Sequence, residues 1–331
     1  MFWPISPRRT ITRGEALNIL VTGGCGYVGS VLVPKLLEAG HSISVVDTQW
    51  FGNYLAPHIN LVVKKKQVVD ISESDLVGIN SVIHLANIAN DPSVDLNPVL
   101  SWEVNALHTT QLLELCKRSE IKKFLYASSG SVYGVKTEEH VTEELTLVPI
   151  SAYNKTKMVT ERICLSYQSD FDVYCIRPAT VCGTSPRMRF DVVVNMFVLQ
   201  AFQNGEIIVL GGDQVRPNIH IEDMARVYQH FLGDENIESG CYNAGFQNLL
   251  VSEIAAQVAQ VLNCRISTKE SNDPRSYRQD SSKLLSTGFV PIFSVESAIS
   301  KISEELKAGR LIDDPKWHTV NWMKSQQFGN I

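Results

Sequence analysis

The sequence lacks the features that mark proteins working at membranes, on nucleic acids or in oxidising compartments. No uninterrupted apolar run reaches the roughly 20 residues that a helix needs to span a bilayer. The N-terminal residues carry Pro4, Pro7 and four charged side chains before the first predicted strand, which is not the apolar core of a secretory signal. Basic residues are not massed: Lys64 to Lys66 is only a triplet, and the formal net charge is -5. Neither nucleic acid nor an anionic membrane is therefore expected as a main partner. The seven cysteines are odd in number and scattered, with no CxxC pair and no metal-ligand spacing to histidine. They read as buried or free thiols in a reducing compartment, so the expected location is cytoplasmic and no metal site is expected. Internal repeats and low-complexity segments are also missing.

What the chain does have is a rhythm. Its 331 residues suffice for one large α/β unit and a smaller portion. From Asn18 onward, short β-branched runs alternate with longer helical patterns, as in parallel strands joined by crossover helices. Strands are predicted at residues 19–22, 43–47, 61–64, 81–85, 123–128 and 173–177, with helices at 27–39, 99–118 and 152–167. After Pro178 the loops lengthen, and helices are expected near 192–204 and 223–232.

The run from Val21 to Gly29, VTGGCGYVG, follows an apolar strand and opens a helix. Gly23, Gly26 and Gly29 suit a tight turn, a close approach of backbone to a diphosphate, and close helix packing. Asp47 ends the second strand, where a carboxylate accepts hydrogen bonds from both hydroxyls of an adenosine ribose and repels a 2′-phosphate, which favours NAD over NADP. Asp70 follows the third strand and suits either an adenine amine or plain solvent. The expected fold class is α/β: a Rossmann-type doubly wound parallel sheet with a smaller C-terminal substrate-binding portion. Residues 18–180 form the NAD-binding domain, with 217–245 returning to it. Residues 181–216 and 246–331 form the second portion, and 1–17 a surface arm.

Tyr153 and Lys157 stand four apart on a predicted helix, and so share a face. A phenol with a reference pKa of ~10 is a poor base at neutral pH. A neighbouring ammonium and an oxidised nicotinamide would favour the phenolate by direct electrostatics. Ser129, in the hydroxyl-rich LYASSGSVYG run at the end of a strand, is placed to act on the same carbinol oxygen.

With these motifs in place, the chain resembles the extended short-chain dehydrogenase/reductases, in particular the NAD-dependent epimerase/dehydratase group typified by UDP-galactose 4-epimerase. The matching segments are TGGCGYVGS, VIHLAN, WEVN, SSGSVYG, YNKTK, Arg177-Pro178, GGDQVRPNIHIED and NDPRSYRQDSSKL, in family order. The resemblance implies a catalytic triad of Ser129, Tyr153 and Lys157. It implies NAD contacts at Tyr27, Val28, Ile71, Leu85 and Ala86 besides the glycines, Asp47 and Asp70. It also implies that Arg216 and Arg275 reach the diphosphate of a nucleotide sugar, since guanidinium forks suit phosphate oxygens. Asn105 and Ser131 are further substrate candidates, and Arg187, Arg189 and Asn195 are weaker ones. The 99–118 and 152–167 helices are those that pair in the family's dimers, so a homodimer is expected.

The departures narrow the chemistry. Dehydratases of the group carry an Asp–Glu pair just after the catalytic hydroxyl, and decarboxylases keep a Glu at the second site; here Gly130 and Ser131 stand instead. Ser131 is also too weak an acid to replace the thiol of relatives that epimerise at C3 and C5. Thr180 stands where many relatives have a substrate-binding Asn. The sequence thus predicts a nucleotide-sugar epimerase acting by hydride transfer at a carbinol such as C4, or a nucleotide-sugar 4-dehydrogenase or 4-ketoreductase with net redox. A family enzyme for non-nucleotide alcohols is disfavoured by the two arginines, and a non-catalytic NAD-binding protein by retention of the triad.

Overall fold

Seven short runs, the central ones buried on both faces, build one parallel sheet. The structure, a computed structural model, describes residues 16–271 and 276–327. Strands β1 (Asn18–Thr22), β2 (Ser42–Asp47), β3 (Leu61–Lys65), β4 (Ser81–His84), β5 (Lys123–Ala127) and β6 (Asp172–Pro178) lie within a residue of the predicted ones at each end. With β10 (Gly240–Ala244) they run in the order β10-β6-β5-β4-β1-β2-β3, every pair parallel. Strands covered on both faces by crossover helices must be apolar throughout, and β4 and most of β1 and β5 have no exposed residue. The Rossmann-type doubly wound fold is therefore as expected. The order in which strands are added reverses between β1 and β4, which opens a crevice at their C-terminal ends.

Two smaller sheets follow. Strands β7 (Thr180–Cys182), β9 (Val215–His220) and β11 (Gln247–Leu250) make one, and β8 (Glu206–Leu210) pairs with β12 (Arg265–Lys269) in the other. Pro217–His220 thus stays outside the main sheet, and the return to it is made by β10 after the Ile221–Gly233 helix. Lys123 ties this helix to β5. Its Nζ donates to the carbonyls of Phe231, Leu232 and Asp234 at 3.0, 3.2 and 2.9 Å, satisfying acceptors that a helix end leaves open.

One predicted element is broken. The single helix expected at 99–118 is a turn at Pro98–Trp102, a π-helical turn at Glu103–Leu107, and an α-helix at His108–Arg118. The wider π turn carries Asn105, whose side chain bridges inward to Ile88. All seven cysteines are free thiols. No helix among the described residues is long and apolar enough to cross a membrane.

Candidate functional site

The crevice is a cavity of about 850 Å³ that runs from the glycine turn to the end of β5 and on to β8 and β9. Its first wall follows from β1. The chain turns at Gly23 with φ +72°, where a Cβ would stand 2.6 Å from the Ala86 backbone nitrogen. At Gly29, the first residue of the Gly29–Glu38 helix, a Cβ would lie 2.5 Å from the Gly24 carbonyl oxygen. Asp47 braces this turn: its carboxylate accepts the Cys25 N–H at 2.9 Å and the Gln49 N–H at 2.6 Å. Burial raises its pKa, and those two N–H groups and the Arg187 charge offset part of the rise. A side-chain-free cradle, a helix N-terminus and a carboxylate at the end of β2 fit a dinucleotide.

Not every predicted cofactor contact is in this wall. Gly23, Gly26, Tyr27, Val28, Gly29 and Leu85 line the cavity. Asp70 stands at the surface, where its carboxylate accepts the Gln67 N–H at 3.3 Å, and Ile71 is buried in the core beneath the sheet. Ala86 contributes its backbone against Gly23.

The second wall holds the chemistry. Ser151 caps the Ala152–Leu165 helix, accepting the Asn154 N–H at 3.1 Å, and one turn of that helix separates Tyr153 from Lys157. Both line the cavity with Ser129 and Ser131. Ser129 hydrogen-bonds the Tyr153 phenol, and its Oγ is 2.7 Å from that of Ser131. Lys157 Nζ donates to the Ala127 carbonyl at 2.6 Å and lies 5.8 Å from the centre of the Tyr153 ring.

The electrostatics correct one expectation. Lys157 does not by itself make the phenol acidic: burial pushes the Tyr153 pKa up to about 12, and pushes that of Lys157 down to about 7. Desolvation disfavours both charged forms and is the largest cause of each shift. Against burial work the Ser129 hydrogen bond, the charge of Arg189 and the backbone N–H of Asn90; the charge of Asp91 adds to it.

Asn90, Asp91 and the Arg189–Asp191 pair are site residues that motif reading missed or undervalued. Asn90 has φ +77°, rare for a residue with a Cβ, and its side chain accepts the Ser93 N–H at 2.9 Å. Its Nδ2 donates to Asp191 at 3.3 Å. Ser151 hydrogen-bonds Asp91, and Arg189 grips Asp191 with two bonds of 2.9 Å. The one signal in the sequence was Asn90-Asp91-Pro92, a cap followed by a proline at the start of a short helix.

The substrate candidates separate. Arg216 lines the far end of the cavity with Gln214 and Leu210. Arg187 also lines the cavity, with its guanidinium 3.9 Å from the centre of the Phe51 ring. Asn105 and Asn195 do not line the cavity. Both are buried, and their amides are bound to protein: Asn105 to Ile88 and Thr156, Asn195 to Gly183, Tyr27 and Arg189. Their polar groups are spent on holding backbone and neighbours in place. Arg275 and residues 1–15 of the expected 1–17 arm lie outside the described residues. At Gly130 a Cβ would stand 2.9 Å from the Tyr277 hydroxyl and 3.1 Å from Gln279 Nε2, so a side chain there would have to displace those side chains.

The model of the NAD dependent epimerase/dehydratase family matches residues 19–245. A UDP-glucuronic acid decarboxylase 1 of Xenopus tropicalis is 28% identical over 89% of this chain and 73% of its own length. A protein of Methanocaldococcus jannaschii described as a UDP-glucose 4-epimerase is 31% identical over 63% of this chain and 71% of its own. Among solved structures, the UDP-glucose 4-epimerase of Thermotoga maritima superposes with a TM-score of 0.80 at 24% identity, covering 89% of this chain and all of that one, 100%. The UDP-glucuronic acid 4-epimerase of Bacillus cereus, solved with UDP-glucuronic acid and NAD, gives 0.78 at 24% identity over 88% of this chain and 99% of its own.

Proposed function

The chain belongs to the NAD-dependent epimerase/dehydratase family, and from that premise we propose that it is a UDP-sugar epimerase that oxidises a sugar carbinol at C4 and returns hydride to the opposite face. Bound NAD supplies the hydride acceptor and donor. Tyr153, as phenolate, takes the carbinol proton as hydride leaves, becomes a neutral phenol, and is a phenolate again once it returns that proton at the end of the cycle. Ser129, itself paired with Ser131, holds that proton path in line. The Asn90 N–H and the Arg189 charge favour the phenolate that must be present before the proton arrives, offsetting burial and Asp91. The main sheet holds the cofactor, and the smaller sheets, through Arg216 and Gln214, hold the nucleotide.

The observation that carries this reading is the Ser129 turn. It presents a hydroxyl to Tyr153, has glycine at position 130 and a hydroxyl at Ser131, so it offers no carboxylate to drive elimination or decarboxylation. The likeness to UDP-glucuronic acid decarboxylases favours a second reading, loss of carbon dioxide from a keto-uronate. One experiment separates them. The purified protein is given UDP-glucose, UDP-galactose or UDP-glucuronic acid without added NAD and followed by NMR. Conversion between C4 epimers with no net reduced nicotinamide supports the proposal. Release of carbon dioxide supports the second reading, and accumulation of reduced cofactor with keto-sugar means net redox instead.

We also propose a homodimer. Val99, Trp102 and Leu107 expose apolar surface along residues 98–107, which fits pairing with a second copy. A monomeric sedimentation profile at micromolar concentration would remove this part of the reading.

A further inference from the structure

Arg187 is buried at 3% exposure, yet it makes no ion pair with a carboxylate among the described residues. Its Nη1 donates to the Met188 carbonyl at 3.4 Å and its Nη2 to Thr319 Oγ1 at 3.2 Å, while the buried Nε has no partner among them. The nearby acids are engaged elsewhere. Asp47 is bound by the Cys25 and Gln49 N–H groups, and Asp191 by Arg189. A guanidinium taken out of water without an anion is costly, and burial with the like charge of Arg189 pushes its pKa down to about 9. Its plane is fixed by stacking on Phe51.

The position selects the missing anion. Arg187 lines the same cavity as Gly23, Gly26 and Tyr27, and its charge is felt by Asp47. It therefore belongs to the cofactor half of the crevice, away from Arg216. Thr319 opens the Thr319–Ser325 helix, whose Trp322 Nε1 donates to the Trp50 carbonyl at 3.0 Å. Trp317, just before it, packs edge-on against Tyr54 with ring centres 5.2 Å apart. The C-terminal segment thus braces both Arg187 and the loop carrying Phe51.

We infer that Arg187, held by Phe51 and Thr319, is a ligand of the diphosphate of the bound dinucleotide. A planar fork with open N–H donors suits two phosphate oxygens, and a diphosphate supplies the counter-charge that the protein does not. The inference rests on the family's dinucleotide and not on which sugar is turned over.

The test is calorimetric titration of parent, Arg187→Met, Arg187→Lys and Thr319→Val with NAD, ADP, adenosine and UDP in turn. Arg187→Met should bind NAD and ADP about tenfold or more weakly, with adenosine and UDP unchanged within about twofold, because only the diphosphate contact is lost. Arg187→Lys should fall between, and Thr319→Val should show a smaller loss on the same two ligands. The unliganded melting temperature of Arg187→Met should be no lower than the parent's. Should Arg187→Met fail to fold, the lysine and Thr319 variants carry the same comparison. Unchanged NAD binding, a loss on UDP in place of NAD, or an equal loss on adenosine would each overturn the inference while leaving the proposed function intact. A parent that binds no NAD would overturn both.

Discussion

Glu161 holds Arg177 at two points, through Nε at 2.9 Å and Nη2 at 2.6 Å, and neither side chain reaches solvent. Ser128 donates to the same carboxylate at 2.8 Å, and Arg177 Nη1 donates to the Tyr133 hydroxyl at 2.6 Å. This pair therefore lies directly behind the turn that presents Ser129. Breaking a buried pair from one side leaves the other charge uncompensated. Glu161→Ala should lower unfolding stability by about 3–5 kcal/mol, read from denaturant midpoints. A Glu161→Met, Arg177→Met double variant should recover much of that loss, and a double variant as unstable as the single one would contradict the argument.

Tyr153→Phe keeps the ring and removes the proton carrier. Turnover should fall by about 10²–10⁴, with NAD affinity and melting temperature nearly unchanged. Ser129→Ala should cost about 10² in turnover. Steady-state rates on the active UDP-sugar, with calorimetry of NAD binding as the control, decide both.

Lys157 gives a pH signature. Its folded pKa of about 7 lies below its ordinary value of 10.5, so between these values the unfolded state binds the extra proton and stability rises with pH. The stabilisation is complete above 10.5 and is lost as pH falls through about 7, where the buried ammonium must be carried. Lys157→Met should thus melt above the parent at pH 6, by about 5 °C, with the gap closing toward pH 10. A constant gap across that range would show that the ammonium is not held back by burial.

Asp47 should set cofactor choice. Asp47→Ala removes a charged acceptor at the end of β2, and NAD affinity should drop about tenfold to hundredfold. NADP should lose far less, so the ratio of the two dissociation constants narrows. Parallel titration with both cofactors reads this directly, and an unchanged ratio would place the ribose elsewhere.

Much of this was legible without coordinates, because it is encoded locally. Two-sided apolar runs specify buried parallel strands, a glycine after a strand specifies a turn with positive φ, and four-residue spacing on a helix puts Tyr153 and Lys157 on one face. Those are consequences of backbone geometry and solvent exclusion acting over a few residues, and they brought Gly23, Gly29, Ser129, Tyr153 and Lys157 to one cavity. What depended on distant parts of the chain was decided only by packing. Asn105 and Asn195 look like ligands in sequence, yet the tertiary fold uses up their amides on backbone and neighbours. Arg187 is fixed in the cavity wall because Phe51 and Thr319, far from it in sequence, converge there. The pKa values of Tyr153 and Lys157 follow from how much water the assembled crevice excludes, a quantity that no short stretch of sequence carries.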